Sequence, residues 1–413
     1  MTQDYSLRPT PWRLNLPAEW PDPPLLMSIS TLGEIESCPL RWSLSGASYP
    51  ELWSGRGYPP KPHASSLAGD TVHLALEMIT KELVTRGCSS LTDSQAVQVL
   101  RDLGGYSEIV RAAFVRVRDR FAKNPRAQCL MTGGDWDLSA RSPDLRLRVQ
   151  AMLSRTTLME CGTTGAHHAL GSARLPLGLG TYAEVEFRAP QLGWKGRADL
   201  LCLSSNRCEI VDYKTGKEDE EKHRQQLWTY ALIWSEDLEL NPLQRPADAL
   251  TLVYGNRSIC VPIPTPNEQE AFRRALLVRS EKARQDVAQK PPRATPGEDT
   301  CSFCSVRQLC DSYWKPGSHR KPTALNDEPV DCFADVELEI SRRHGPLSWE
   351  GRLFTVPAGT KEAGVILRVV DPMQEYEPSQ KLRVLGAHIS WSTDMEPGPH
   401  FVTLSRTSEV YFL

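Results

Sequence analysis

No run of apolar residues in this chain approaches the roughly 18 that a bilayer-spanning helix needs. The first residues, with Asp4, Arg8, Arg13 and several prolines, lack the apolar core of a signal peptide. Together these absences place the expected location in the cytoplasm. Positive charge is not in excess either. Lys and Arg total 48 against 51 Asp and Glu, a formal net charge of −3. That balance excludes a globally basic nucleic-acid coat and leaves a local basic groove open. Nowhere does the sequence carry G-x-x-x-x-G-K-[ST], so it is not itself a helicase driven by a phosphate-binding loop. Cysteine, by contrast, is plentiful, with 11 residues. In a cytoplasmic chain they are not a disulfide framework, which leaves metal ligation or a role as small buried apolar side chains.

At 413 residues the chain suggests two or three domains. Its most informative stretch runs from Lys195 to Ala231. Gly196-Arg197-Ala198-Asp199 leads into the apolar segment Leu200–Leu203, a polar turn follows at Ser204-Ser205-Asn206, and a second apolar segment, Cys208–Val211, ends in Asp212-Tyr213-Lys214-Thr215-Gly216. Two short apolar runs around a polar turn predict a hairpin. Asp199 opens its first strand and Asp212 closes its second, so both carboxylates share one end. Lys214, two residues after Asp212, faces the same side. Two carboxylates and an ammonium then converge as a hard-cation site with a charge stabiliser beside it, the chemistry of phosphodiester hydrolysis. The plain alternative is a surface hairpin with an ordinary Asp–Lys pair.

The spacing resembles the PD-(D/E)xK nuclease superfamily, and within it the RecB-type branch. There G-x-x-D, strand, turn, strand and D-Y-K-T-G precede a helix bearing Q-x-x-x-Y, matched here by Gln226 and Tyr230 on a segment of helical period. The resemblance implies that His73, Asp199 and Asp212, with the Tyr213 carbonyl, bind Mg²⁺ or Mn²⁺. It implies that Lys214 positions the attacking water or stabilises the phosphate, and that Gln226 and Tyr230 hold the lysine or the substrate phosphate. His73 follows Gly69 by one helical turn in the G-x-x-x-H pattern, and Glu77, on the same face, would orient it. A catalytic glutamate is expected on the alternating strand Thr181–Arg188, at Glu186, with Glu184 as the alternative. The bland reading of that strand is a half-exposed edge.

Cys301, Cys304 and Cys310 form C-x-x-C-x5-C, which is metal-site spacing. Three local thiols need a fourth, and Cys38 in Cys38-Pro39-Leu40-Arg41-Trp42 is the candidate. Zinc is the generic expectation. The pairing of a distant CPxRW with C-x-x-C-x5-C around this core instead resembles the 4Fe–4S nucleases of AddB-type repair subunits and CRISPR spacer acquisition. Such a cluster would staple the ends of the domain, removing about 4–5 kcal/mol of unfolded-chain entropy. Cys88, Cys129, Cys161, Cys202, Cys208, Cys260 and Cys332 have no metal spacing.

The remaining organisation follows from periodicity and turn residues. Residues 1–27 form an arm, 28–314 the nuclease domain, 315–329 a Pro/Lys/Gly-rich linker, and 330–413 a small domain. Helices are expected from Ser28 to Glu36, from Leu67 through Leu83, within 91–131, over Glu218–Glu236 and over Asn267–Lys290. Leu250–Gly255 and Ser258–Ile263 form a hairpin. Residues 132–180 are Gly-, Ser- and Arg-rich with weak pattern, and their pair His167 and His168 reads as loop rather than ligand. Arg101, Arg111, Arg116, Arg118 and Arg120 are either a solvated helix face or a wall of a nucleic-acid groove. In the last part Phe333–Ile340, Gly351–Val356, Gly364–Val370, Lys381–Trp391 and Phe401–Phe412 read as strands of a small OB- or SH3-like barrel. Its aromatics Trp349, Phe354, Tyr376 and Trp391 are core residues or base-stacking groups. The expected whole is a mixed α/β nuclease core with a β-barrel appended. It would be a metal-dependent deoxyribonuclease, exonuclease rather than endonuclease, acting on single-stranded DNA or DNA ends in repair, recombination or phage defence, with a separate helicase as partner. The alternatives are a catalytically quiet DNA-binding subunit and a zinc-stapled RNA-directed enzyme.

Overall fold

The computed structural model describes residues 12–53, 57–127, 138–158, 174–315, 332–354, 364–369, 375–390, 398–405 and 407–413. The linker expected at 315–329 falls almost wholly outside them, as do His167, His168, Cys129, Cys161 and Trp391.

Helices α1 (Ile29–Ser37), α2 (Pro39–Gly46), α3 (Ala64–Thr85), α4 (Ser94–Asp102), α5 (Gly105–Asp119), α6 (Leu138–Leu153), α7 (Glu220–Glu236) and α8 (Pro266–Ala288) surround a five-stranded sheet. After a short β1 (Trp12–Arg13), the sheet comprises β2 (Gly180–Ala189), β3 (Trp194–Leu203), β4 (Cys208–Lys214), β5 (Ala249–Tyr254) and β6 (Ser258–Val261), in that spatial order. All its pairings are antiparallel except β4–β5, which are parallel and joined through α7. β4 is buried along Cys208–Tyr213 because helices cover both faces of the sheet. One layer, from α1, α7 and α8, packs Leu32, Ile35, Leu227, Ile233 and Leu276 against Leu201, Ile210 and Leu252. The other, from α3 to α6, packs Leu76, Ile79, Ile109 and Val149 against Leu200, Val211 and Val253.

The helix ends follow from local chemistry. Ser28 caps α1 by accepting the Thr31 amide at 3.1 Å. Thr265 and Glu268 close a capping box on α8, with Pro266 in its first turn. Helix α6 forms where the sequence between 132 and 180 shows only a weak pattern. Arginines interleaved between Leu145, Val149 and Met152 dilute its apolar stripe, and Pro143 lies inside it.

The C-terminal part is all β. β7 (Cys332–Gly345), β8 (Ser348–Leu353), β9 (Gly364–Arg368), β10 (Lys381–Ser390) and β11 (His400–Thr403) close a ring in the order β7-β8-β9-β11-β10-β7. β9 and β11 pair in parallel, and the other pairs are antiparallel. This is a five-stranded Greek-key barrel of OB type. The single run expected over Phe401–Phe412 is two strands, because β12 (Glu409–Phe412) follows a turn held by Ser405 and Ser408. Trp349 and Tyr376 are core residues, each 4 % exposed.

The barrel is locked into the helical part. β1 of the N-terminal arm pairs in parallel with β12, which itself pairs with β10. Buried Arg126 grips Glu409 through Nε at 3.1 Å and Nη2 at 2.9 Å, and donates to the Pro59 carbonyl at 2.9 Å. Two short helices, α9 (Glu298–Ser302) and α10 (Asp311–Trp314), flank the cysteine-rich segment, which docks on β7 and β10. Arg307 meets Asp335 at 2.5 Å, and Arg383 bridges Asp311 and Glu337 at 3.0 Å each.

Candidate active site

The β3–β4 ladder runs from Leu203↔Cys208 to Leu200↔Val211 and stops there. One residue further the strands part, leaving Asp199 opposite Asp212. Asp199 fills the gap by accepting the first unpaired amide of β4, that of Tyr213, at 2.5 Å. Its other oxygen lies 3.3 Å from His73 Nδ1 on α3. Gly69 lets α3 come this close, since a Cβ there would stand 2.9 Å from the Thr215 hydroxyl. Glu77 does not orient His73 as expected. It pairs with Lys81 at 2.5 Å, and Asp199 holds the imidazole.

Asp212 and Lys214 point toward α7. Lys214 Nζ is 2.5 Å from Asp212 Oδ2 and donates to Gln226 Oε1 at 2.8 Å. Gln226 Nε2 in turn donates to Asp212 Oδ1 at 3.1 Å and to the Tyr230 hydroxyl at 2.6 Å. The helix can lie over the strand because residue 196 is glycine. A Cβ there would sit 2.8 Å from the Tyr230 ring. The contact between the amine and the buried Asp212 Oδ2 is a charge-assisted one, and it lowers the carboxyl's proton affinity against the opposing effect of burial.

Of the two glutamates expected on this strand, the structure brings Glu184, the alternative, to His73 and Asp199, and leaves Glu186 away from them. Ligand atoms of His73, Glu184 and Asp199 lie within 4.8 Å of one another, the one such metal-capable group among the described residues. Glu186 instead pairs with Arg188 at 2.5 Å and is 43 % exposed, against 16 % for Glu184. Alternation could not separate the two residues. Glu184 has φ 56°, and the β2–β3 ladder passes over the Glu184–Asp199 position. A left-handed, kinked residue re-aims its side chain. Asp212 also lies outside this trio, although it was expected among the metal ligands.

The electrostatics are those of a crowded anionic pocket. Burial and the Asp199 charge raise the Glu184 carboxyl to about 7, and the same two causes raise Asp212 to about 6 against the opposing pull of Lys214. Burial pulls His73 down, but its hydrogen bond to Asp199 and the surrounding acids leave it above its usual value. A divalent cation would favour the ionised carboxylates, and the donor set of one imidazole and hard carboxylate oxygens fits such an ion.

Cys38, Cys301, Cys304 and Cys310 line one cavity together with Arg41, Thr300 and Tyr313. Cys38 caps α2, its sulfur accepting the Arg41 amide at 3.4 Å. Burial pushes the Cys304 thiol up to about 11 and also raises Cys310. These groups therefore ionise only beside a cationic centre. A tetrahedral zinc would hold its sulfurs about 3.8 Å apart, from a Zn–S bond of ~2.3 Å. Among the described residues no three of these sulfurs lie within 4.8 Å of one another. Cys88, Cys202 and Cys208 are buried, and Cys260 is exposed. Arg101, Arg111, Arg116, Arg118 and Arg120 are all exposed, Arg111 and Arg118 being paired with Glu108 and Asp119.

A family model described as the PD-(D/E)XK nuclease superfamily matches residues 26–311. No curated protein matches. Among solved structures the chain is similar to SSO0001 at 22 % identity and a TM-score of 0.20, over 32 % of this chain and 59 % of that one. It thus spans less than two thirds of that protein's length. A murine DNA binding protein bound with double-stranded DNA is similar at 8 % identity and a TM-score of 0.18, over 57 % of this chain and 92 % of the other.

Proposed function

Because the chain belongs to the PD-(D/E)XK nuclease superfamily, we propose that it is a divalent-metal-dependent deoxyribonuclease of the RecB-type branch, with a 4Fe–4S cluster on its four clustered cysteines. Its substrate is single-stranded DNA or DNA ends, cut exonucleolytically in repair, recombination or phage defence, with a separate helicase opening duplex. One observation carries this reading. Where β3 and β4 part, His73, Glu184 and Asp199 meet on the α3 side while Asp212, Lys214, Gln226 and Tyr230 meet on the α7 side.

In this reading His73, Glu184 and Asp199 hold Mg²⁺ or Mn²⁺, with Asp212 and the Tyr213 carbonyl as the remaining ligands. When bound, the ion supplies Lewis acidity to the scissile phosphate and acidifies water. The chain's own residues do the positioning. Gln226 fixes Lys214 by its carbonyl and Asp212 by its amide, so the amine stands beside the carboxylate without swinging away. Lys214 then orients the attacking water or neutralises charge that develops on the phosphate. Tyr230 locks the amide orientation of Gln226.

The test is hydrolysis of end-labelled single- and double-stranded oligonucleotides with Mg²⁺ or Mn²⁺ and an EDTA control. Lys214→Ala and Asp212→Ala should each abolish cleavage while keeping fold and visible absorbance. Cleavage retained in both would remove the assignment. Anaerobically purified protein should contain iron and acid-labile sulfide in equal amounts, lost in Cys304→Ala. Stoichiometric zinc would replace the cluster.

A further inference from the structure

Strand pairing lines up four residues across the outer surface of the barrel. Phe333 on β7 is paired with His388 on β10, His388 with Thr403 on β11, and Thr403 with Arg368 on β9. Phe401, two residues before Thr403, shares its face, and the Arg368 guanidinium lies 4.0 Å over the Phe401 ring. Phe333 is 67 % exposed, its ring edge-on to His388 with centroids 5.4 Å apart. The intervening residues Val402, Leu367 and Ile389 turn inward, and the barrel core closes without either phenylalanine. Phe333 is exposed and Phe401 half-buried under Arg368, and neither ring belongs to the barrel core. Arg368 has no acidic partner among the described residues. At about 4.8 Å per strand the band extends roughly 14 Å. It begins two residues from Asp335, which fastens the barrel to Arg307, so it is continuous with the seam to the catalytic part.

We propose that this band is a single-stranded nucleic-acid platform, with Phe401 and Phe333 stacking on bases and Arg368 meeting the phosphate chain. The choice of nucleic acid rests on the nuclease reading above. The choice of strandedness rests on the band itself. An aromatic ring on an open β face gains only from a base whose π face is accessible, and a duplex hides those faces in its own stack. The cation held over the ring suits a polyanion that carries aromatic groups. The platform would hold a strand outside the catalytic pocket and keep it attached between cuts.

The test is fluorescence anisotropy of a labelled oligothymidylate with the full chain in EDTA, so that binding is read without cleavage. Phe401→Ala and Arg368→Ala should each weaken binding about tenfold or more with unchanged thermal unfolding. Arg368→Ala should also reduce the slope of log affinity against log salt by about 0.7. Phe333→Ala, at a solvent-exposed position, serves where Phe401→Ala perturbs the fold. Unchanged affinity in Arg368→Ala and Phe333→Ala, or a blunt duplex of equal length competing as well as the single strand, would overturn the platform. Because no metal is present, these results stand apart from whether Lys214 and Asp212 support cleavage.

Discussion

Glu184 is held in a backbone conformation that L-residues adopt at a cost of roughly 1–2 kcal/mol, with φ at 56°. What the strain obtains is placement, since the carboxylate turns from the line of Glu186 to within reach of His73 and Asp199. Arg197 braces it from the open side at 3.0 Å. Glu184→Gln should therefore weaken metal binding at least about tenfold, the scale on which such sites respond to altered support. Glu186→Gln should leave it within twofold. Isothermal titration with Mn²⁺ separates the two, and equal losses would return the role to Glu186. Strand alternation made both glutamates legible as candidates and could not choose, because a kink breaks the period on which alternation depends.

At the scale of elements the site is two helices brought onto one parting of strands. Each approach rests on a glycine: Gly69 admits α3 to Thr215, and Gly196 admits the Tyr230 ring of α7 to β3. Gly69→Ala should destabilise the protein by about 1–3 kcal/mol through overpacking. Thr215→Ala, which removes the hydroxyl 2.9 Å from the added carbon, should recover most of that loss. Urea unfolding of the two single variants and the double variant measures the coupling. Additive effects would mean that the helix does not press on this loop. Both glycines stood in the motif as spacing alone. Their reason is a distance between elements far apart in sequence.

For the molecule as a whole, the barrel is bound to the helical part by buried charge. Burial opposes ionisation of Glu409, but the Arg126 guanidinium outweighs it and holds the carboxyl below its ordinary value. A folded-state value below the unfolded one stabilises fully above the unfolded pKa of roughly 4.3 and is lost as pH falls through the folded value. Acid should thus loosen the seam only below about pH 4. Glu409→Ala, which strands Arg126, should cost about 3–5 kcal/mol near neutrality and remove that acid limb. Urea midpoints between pH 3 and 7 check both statements. An unchanged acid limb in the variant would place the titration elsewhere.

The sequence by itself determined the hairpin, the helix carrying Gln226 and Tyr230, and the all-β character of the C-terminal part, because each is written in local periodicity or fixed spacing. Residues such as Asp199, Asp212 and Lys214 were legible because their separation along two short strands already sets where they face. The tertiary structure alone decided that Glu184 rather than Glu186 stands beside His73 and Asp199, that His73 meets Asp199 while Glu77 pairs with Lys81, that α6 exists, and that β1 adds to β12. Each of these depends on which surfaces meet after the chain has folded back on itself. Packing between distant segments is what local pattern does not encode.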